Sequence, residues 1–291
     1  MLEIKNVSKI FDNRIKGTKS GVRNVSLKIM PGDIYGFVGD NGAGKSTLIK
    51  AVFGEYRKDE GEILLDGVDV KKNLGLKRIA FFPDQSIYPK GINVQEYCML
   101  DAKIAGVKRA LAKERFRTLL EKFGLSNYRH KSFKDLSAGM QKKMLLIITL
   151  VSKPDYIFLD EPTANLDVKA RLEFMEVIKF LAKKGVGILI TSHIIDELQE
   201  NINKLSIIDN GNQVYNADFD KTAEKIIDIY EKHSTKVKVD TDKMVDKINV
   251  NSKHHDEKVN NQKKIKKHKK TKSKFKNCST WLNNFFVVNN Y

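Results

Sequence analysis

Long hydrophobic runs are missing from this sequence of 291 residues. The longest nearly apolar stretch, MLLIITLV from Met144 to Val151, is far short of the ~20 residues a helix needs to cross a bilayer, so the chain is not expected to span a membrane by itself. Cysteine is almost absent: Cys98 and Cys278 are the only two and lie far apart, which excludes a disulfide framework and fits a reducing cytoplasm. No Cys/His spacing suggests zinc. The opening MLEIKNVSKIFDNR carries charges at Glu3, Lys5 and Lys9 and lacks an apolar core, so it reads as a strand rather than a signal peptide, and the chain is expected to stay inside the cell. Acidic residues are missing from Val259 to Tyr291, where nine lysines account for more than half of the net charge of +17. A charge collected in a terminal run is a property of that run and not of the fold.

What is present is enough for a proper core. Hydrophobic residues make up 41% of the chain, and the length suits one large domain or two small ones. Short runs rich in β-branched residues (LEIKNV, NVSLKI, IYGFV, EILLDG, RIAFF, YIFL, VGILIT and LSIID) are bounded by Gly, Pro, Asp or Asn and read as strands. Several are apolar almost throughout, as expected of parallel strands covered on both faces. Between Asn93 and Phe123 the pattern changes, and Phe116, Leu119, Leu120 and Phe123 mark one apolar helical stripe. The expected organisation is therefore an α/β domain over residues 1–231 with a helical subdomain at about 93–150. Past Lys232 the residues are Lys, Asn, Asp and His with few apolar ones, so 232–276 is expected to be a basic, disordered linker. A short apolar segment, 277–291, with Trp281, Phe285 and Phe286, follows it. No internal repeat is present.

GFVGDNGAGKST follows the apolar strand IYGFV and leads directly into LIKAVF. Gly39, Gly42, Gly44, Lys45 and Ser46 have P-loop spacing: the glycines let backbone N–H groups close on phosphates, Lys reaches the β- and γ-oxygens, and the hydroxyl ligates Mg²⁺. In YIFLDEPT, four apolar residues end in Asp160, which places a carboxylate at the C-terminal edge of a strand, where α/β sheets bind ligands. Asp160 is the expected Mg²⁺ ligand and Glu161 the group that orients or deprotonates the attacking water. A further strand, VGILIT, ends in Ser192 and His193, which puts His193 at the same sheet edge and suggests a γ-phosphate contact.

A second phosphate cradle lies in DLSAGMQ, Asp135 to Gln141. Ser137 and the N–H groups around Gly139 stand at an expected helix start, where the partial positive charge favours an anion. One chain thus carries two sets of phosphate-binding parts.

Taken together and in this order, these residues resemble the ATP-binding subunit of an ABC transporter over about residues 1–231. The resemblance rests on the P-loop, on Gln85 after RIAFFPD, on the signature-like LSAGMQ, on YIFLDEPT, on ANLD ending in Asp167, and on His193. It implies an α/β P-loop NTPase of the ABC ATPase type, with an antiparallel β subdomain and an inserted α-helical subdomain, that uses ATP and Mg²⁺. It also assigns roles. The loop residues Gly39, Asp40, Asn41, Gly42, Ala43, Gly44, Lys45, Ser46 and Thr47 would cradle the phosphates, and Phe11 would stack on adenine. Gln85 would join Ser46 and Asp160 around Mg²⁺ and act with Glu161 and His193 on the attacking water, facing the membrane subunit. Ser137 and Gly139 would close on ATP held by a second subunit, with Asp167 working across the same boundary. Asp167 also fits an ordinary helix N-cap.

The signature departs from the family's usual form at Ala138, where a second Gly is common, and at Met140, where Gln is common. Ala138 still offers its N–H, whereas Met140 removes an amide. The GM form resembles signatures of the branch serving drug, peptide and bacteriocin exporters. The expected function is that of an ATP-hydrolysing subunit that forms a homodimer, or a heterodimer with a similar ATPase, around two ATP molecules. It would power a separate membrane permease from the inner face of the cell membrane, exporting a drug-like or peptide substrate. The competing class is a soluble ABC-type ATPase acting on ribosomes or nucleic acid; the single cassette and the absence of a coiled-coil insert argue against it. The lysine-rich tail has three readings: a solvated appendage, an anionic-lipid contact, or an RNA contact.

Overall fold

The computed structural model describes residues 1–13, 18–72, 75–83, 91–192 and 194–235. Two long antiparallel strands, β1 (Leu2–Asn13) and β2 (Thr18–Ile29), open the chain. β3 (Ile34–Val38) then runs into α1 (Lys45–Val52). β4 (Glu60–Leu65) and the two-residue β5 (Val68–Asp69) extend the antiparallel part beside β1. β6 (Ile79–Phe82) precedes α2 (Val94–Ile104), α3 (Arg109–Lys122) and α4 (Ala138–Val151). Strand and helix then alternate through β7 (Tyr156–Asp160), α5 (Val168–Lys183), β8 (Gly187–Thr191), α6 (Ile195–Gln199) and β9 (Lys204–Asp209). The hairpin partner β10 (Asn212–Asp218) and α7 (Ile226–His233) close the described chain. The strands form one mixed sheet in the order β5-β4-β1-β2-β10-β9-β3-β8-β7-β6.

Side-chain alternation along the strands builds two cores, because successive residues point to opposite faces. Ile34, Val38, Ile157, Leu159, Ile188 and Ile190 join the helices of the α4–α5 side in one apolar cluster. Their neighbours Tyr35, Phe37, Tyr156, Phe158 and Leu189 join α1 and the antiparallel strands in the other. β3 and β8 are buried at every position. Both faces are covered, so their sequences are apolar without interruption.

The expected helical insert lies between β6 and β7. In α3, Phe116, Leu119 and Leu120 are buried, and Phe123 packs against the same cluster. α2 opens with a reciprocal cap: the Asn93 side chain accepts from Glu96 N (2.9 Å), and the Glu96 carboxylate accepts from Asn93 N (2.9 Å). Two such bonds satisfy donors that a helix start otherwise leaves open.

The antiparallel part is more extensive than the apolar runs alone suggest, since β5 and β10 also pair. β10 is half exposed. It is set by the two-residue turn Asn210–Gly211, with φ of 47° and 81°, the type I′ geometry that matches strand twist. At the C-terminal boundary of the domain, α7 runs two residues past 231, and Thr235 N donates to Asp209 Oδ2 at 2.8 Å. The rest of the expected linker, from residue 236, and the segment 277–291 lie outside the described residues. Among those described, no helix is long and apolar enough to cross a membrane.

Candidate nucleotide site

The P-loop leaves the buried end of β3 with little room to spare. A side chain at Gly39 would place its Cβ 2.4 Å from the Ile208 carbonyl oxygen, and one at Gly44 would come within 2.7 Å of the Gly21 carbonyl oxygen. Gly44 also has φ of 110°, a conformation costly for any residue with a Cβ. The loop is braced from below, where Gly211 N donates to Ala43 O (3.0 Å) and Ala43 N donates to Asp40 O (3.0 Å). Lys45 is buried, and its Nζ donates to the carbonyls of Gly39 (2.6 Å) and Asp40 (3.1 Å). Burial pushes its pKa down, while the carboxylates of Glu161, Asp160 and Asp40 oppose that shift. An arriving phosphate would offer the ammonium a full negative charge in place of two carbonyl dipoles.

Strand order explains how the two halves of this site meet. β8 lies between β3 and β7, and Thr191 at its end pairs in register with both Phe37 and Asp160. Ser46 Oγ reaches across to donate to Asp160 Oδ2 (3.0 Å), and Thr191 Oγ1 donates to Asp160 Oδ1 (2.7 Å). The hydroxyl and the carboxylate expected to ligate Mg²⁺ are therefore in direct contact. A hard cation held by one or two protein oxygens together with phosphate oxygens and water suits this pair. The next residue, Glu161, has φ of 45°, a left-handed conformation that costs roughly 1–3 kcal/mol and persists only where the surroundings impose it. Its N–H donates to both the Thr191 carbonyl (3.2 Å) and Thr191 Oγ1 (3.1 Å). Its carbonyl accepts from Lys142 Nζ (3.2 Å).

The expected second cradle is built as a capped helix start. Ser137 precedes α4, and its hydroxyl accepts from Met140 N at 3.4 Å. The Gln141 amide turns inward and donates to the carbonyls of Phe133 (2.7 Å) and Leu136 (3.0 Å), which fixes the approach to the helix. Met140, at the departure from the usual signature, packs against the main apolar cluster. Asp167 caps α5, its Oδ1 accepting from Ala170 N at 2.9 Å. Ser137, Gly139 and Asp167 line one cleft of about 450 Å³, together with Met140, Lys143 and Glu173. No P-loop residue lines that cleft.

Phe11 lies on the β1–β2 hairpin, paired with Ser20, whose neighbour Gly21 touches the P-loop at Gly44. It is 37% exposed, with Tyr56 edge-on at 5.1 Å and Lys9 Nζ 5.3 Å from its centroid. It is therefore not a core phenylalanine. Asn41 is exposed, and Thr47 is half-buried on the first turn of α1. Gln85 and His193 lie outside the described residues.

A protein-family model described as ABC transporter matches residues 22–164. A Mycoplasma pneumoniae protein named as an ABC transporter ATP-binding protein is 35% identical over 221 residues, covering 74% of this chain and 66% of that relative. The linearmycin resistance ATP-binding protein LnrL of Bacillus subtilis is 30% identical over 217 residues, covering 74% of this chain and 68% of its own length. This chain belongs to the ABC transporter ATP-binding proteins. Its fold agrees: a dimeric bacterial ABC transporter cassette superposes with a TM-score of 0.66 at 21% identity, covering 75% of this chain and 98% of that one.

Three contacts of this ABC cassette were not anticipated from the motifs. Thr191 bridges the backbone of Glu161 and the carboxylate of Asp160; its signal was its place as the last residue of an apolar strand. Lys142 is wholly buried, with Nζ 5.4 Å from the Phe82 ring centroid, although it reads as one of two equivalent lysines. Tyr230 on α7 donates through its hydroxyl to Asp40 Oδ1 at 2.7 Å, and its pKa is raised to about 12, first by burial and then by that carboxylate. Nothing in the sequence around Tyr230 points to the P-loop 190 residues earlier.

Proposed function

We propose that this ABC cassette hydrolyses ATP as one of two subunits closed around two nucleotides, and that it drives a separate membrane permease. The observation that carries this reading is the contact of Ser46 with Asp160 beside buried Lys45, in a chain that builds a second helix-start cradle away from that site. Phe11 stacks on adenine. The backbone from Gly39 to Thr47 and the Lys45 ammonium hold the phosphates, Lys45 exchanging its two loop carbonyls for them. Ser46 and Asp160, with Gln85, would hold Mg²⁺, which would supply positive charge to the phosphate oxygens. Thr191 keeps Asp160 aimed by occupying its other oxygen. Glu161 accepts the proton of the attacking water, and His193 contacts the γ-phosphate.

Ser137 and Gly139 complete the site of the partner copy. The helix-start charge there favours a γ-phosphate, so the dimer closes on ATP and loosens after cleavage. Similarity to the linearmycin resistance ATP-binding protein LnrL, together with the GM form of the signature, supports export of a drug-like or peptide substrate. Ser137→Arg tests the division of labour. MgATP binding by the monomer should be unchanged, while ATPase activity falls at least ~100-fold, as expected when a transition-state contact is replaced by a clash. Loss of nucleotide binding by the isolated chain would contradict the assignment.

A further inference from the structure

We propose that Lys142 is a positioning residue through which α4 sets the backbone of the catalytic carboxylate, so that the cradle facing the partner's ATP and the base facing the chain's own ATP move together. The proposal rests on the roles given above to Ser137 and Glu161.

Lys142 lies five residues past Ser137, roughly 7 Å further along the helix axis. Its neighbour Lys143 turns outward and pairs with Glu173 at 2.9 Å, both side chains about one-third exposed. Lys142 instead is wholly buried, and its ammonium meets the Glu161 carbonyl at 3.2 Å and the face of Phe82 at 5.4 Å. An ammonium is expensive to bury. An apolar residue would fill the same volume at less cost, so the donor is the property to be explained.

The Glu161 carbonyl is the acceptor that links this donor to the site. Glu161 is held in its left-handed conformation from both ends: Thr191 takes the N–H, and Lys142 takes the carbonyl. The N–H side fixes φ and the carbonyl side fixes ψ. Together they aim the Cα–Cβ bond and hence the carboxylate. α4 is a 14-residue helix capped at Ser137, so a displacement of its start by a phosphate is carried to Nζ with little loss. A shift of the Glu161 carbonyl then rotates the carboxylate into or out of line with the water.

The test uses the full chain with Lys142→Met and Lys142→Arg. Steady-state ATPase, equilibrium MgATP binding and thermal unfolding are measured on each. The Met variant, similar in volume, is expected to lose ~10- to 100-fold in kcat, the scale of an ångström-sized misplacement. KM and the dissociation constant for MgATP should stay within about twofold. The Arg variant keeps a donor and is expected within about tenfold of wild-type kcat. Unchanged kcat in the Met variant overturns the proposal, as does parallel loss of kcat, nucleotide affinity and melting temperature, which marks a merely structural lysine. If the Met variant does not fold, the Arg variant decides alone: more than about a tenfold kcat loss with intact MgATP binding overturns the proposal. A wild-type chain without ATPase activity would strike instead at the function proposed above.

Discussion

Burial holds the Asp101 carboxyl at about 6, above its ordinary value near 3.8. Its neighbours Tyr97 and Cys98 are also raised, first by burial and then by the charge of Asp101. Because the folded-state value lies above the unfolded one, the folded chain binds the extra proton between about pH 4 and pH 6. Stability from this group therefore falls as pH rises through that window. At pH 7.5 the poorly hydrated carboxylate costs on the order of 3 kcal/mol. Asp101→Asn is expected to stabilise the chain by about that much at pH 7.5 and to bring little gain at pH 4. Urea unfolding at the two pH values measures the difference; equal stability at pH 7.5 would contradict this reading of the site.

At the scale of elements, the reciprocal cap between Asn93 and Glu96 starts the helical insert. Asn93→Ala should cost about 1 kcal/mol. For a domain of this size that lowers the melting temperature by about 2–4 °C, readable by calorimetry. The elements differ in how much of them is legible before folding. β3, β7 and β8 are apolar at nearly every position because both faces are covered, and so they stand out. β10 does not, because none of its residues is fully buried and its polar residues resemble a loop; only the Asn210–Gly211 turn announces it. The P-loop is legible because its chemistry is local, one glycine spacing followed by Lys45 and Ser46. Thr191, Lys142 and Tyr230 act across the fold, where sequence distance carries no signal. Lys142 and Lys143 are the same letter twice, and only packing of α4 against Phe82 makes one a buried donor and the other a surface ion pair. Met140 and Gln141 divide similarly: the thioether rests against the core at the edge of the cleft, and the amide staples the loop ahead of the helix.

At the scale of the whole molecule, the proposed function gives one chain two incomplete phosphate sites. Lys45, Ser46, Asp160 and Glu161 gather at the ends of β3 and β7. Ser137 and Gly139 line a separate cleft with Asp167 and no P-loop residue. On the proposed function, each half is useful only opposite the other half of a second copy, or of a similar chain. In that reading ATP would be the glue, and its cleavage would loosen the pair. Removing the base while keeping the rest of the site should trap the closed state. Sedimentation velocity of Glu161→Gln with MgATP is the most direct measurement. The account predicts a dimer that appears with ATP, disappears with ADP, and forms in a variant whose turnover is abolished. A chain that stays monomeric with saturating ATP would contradict it.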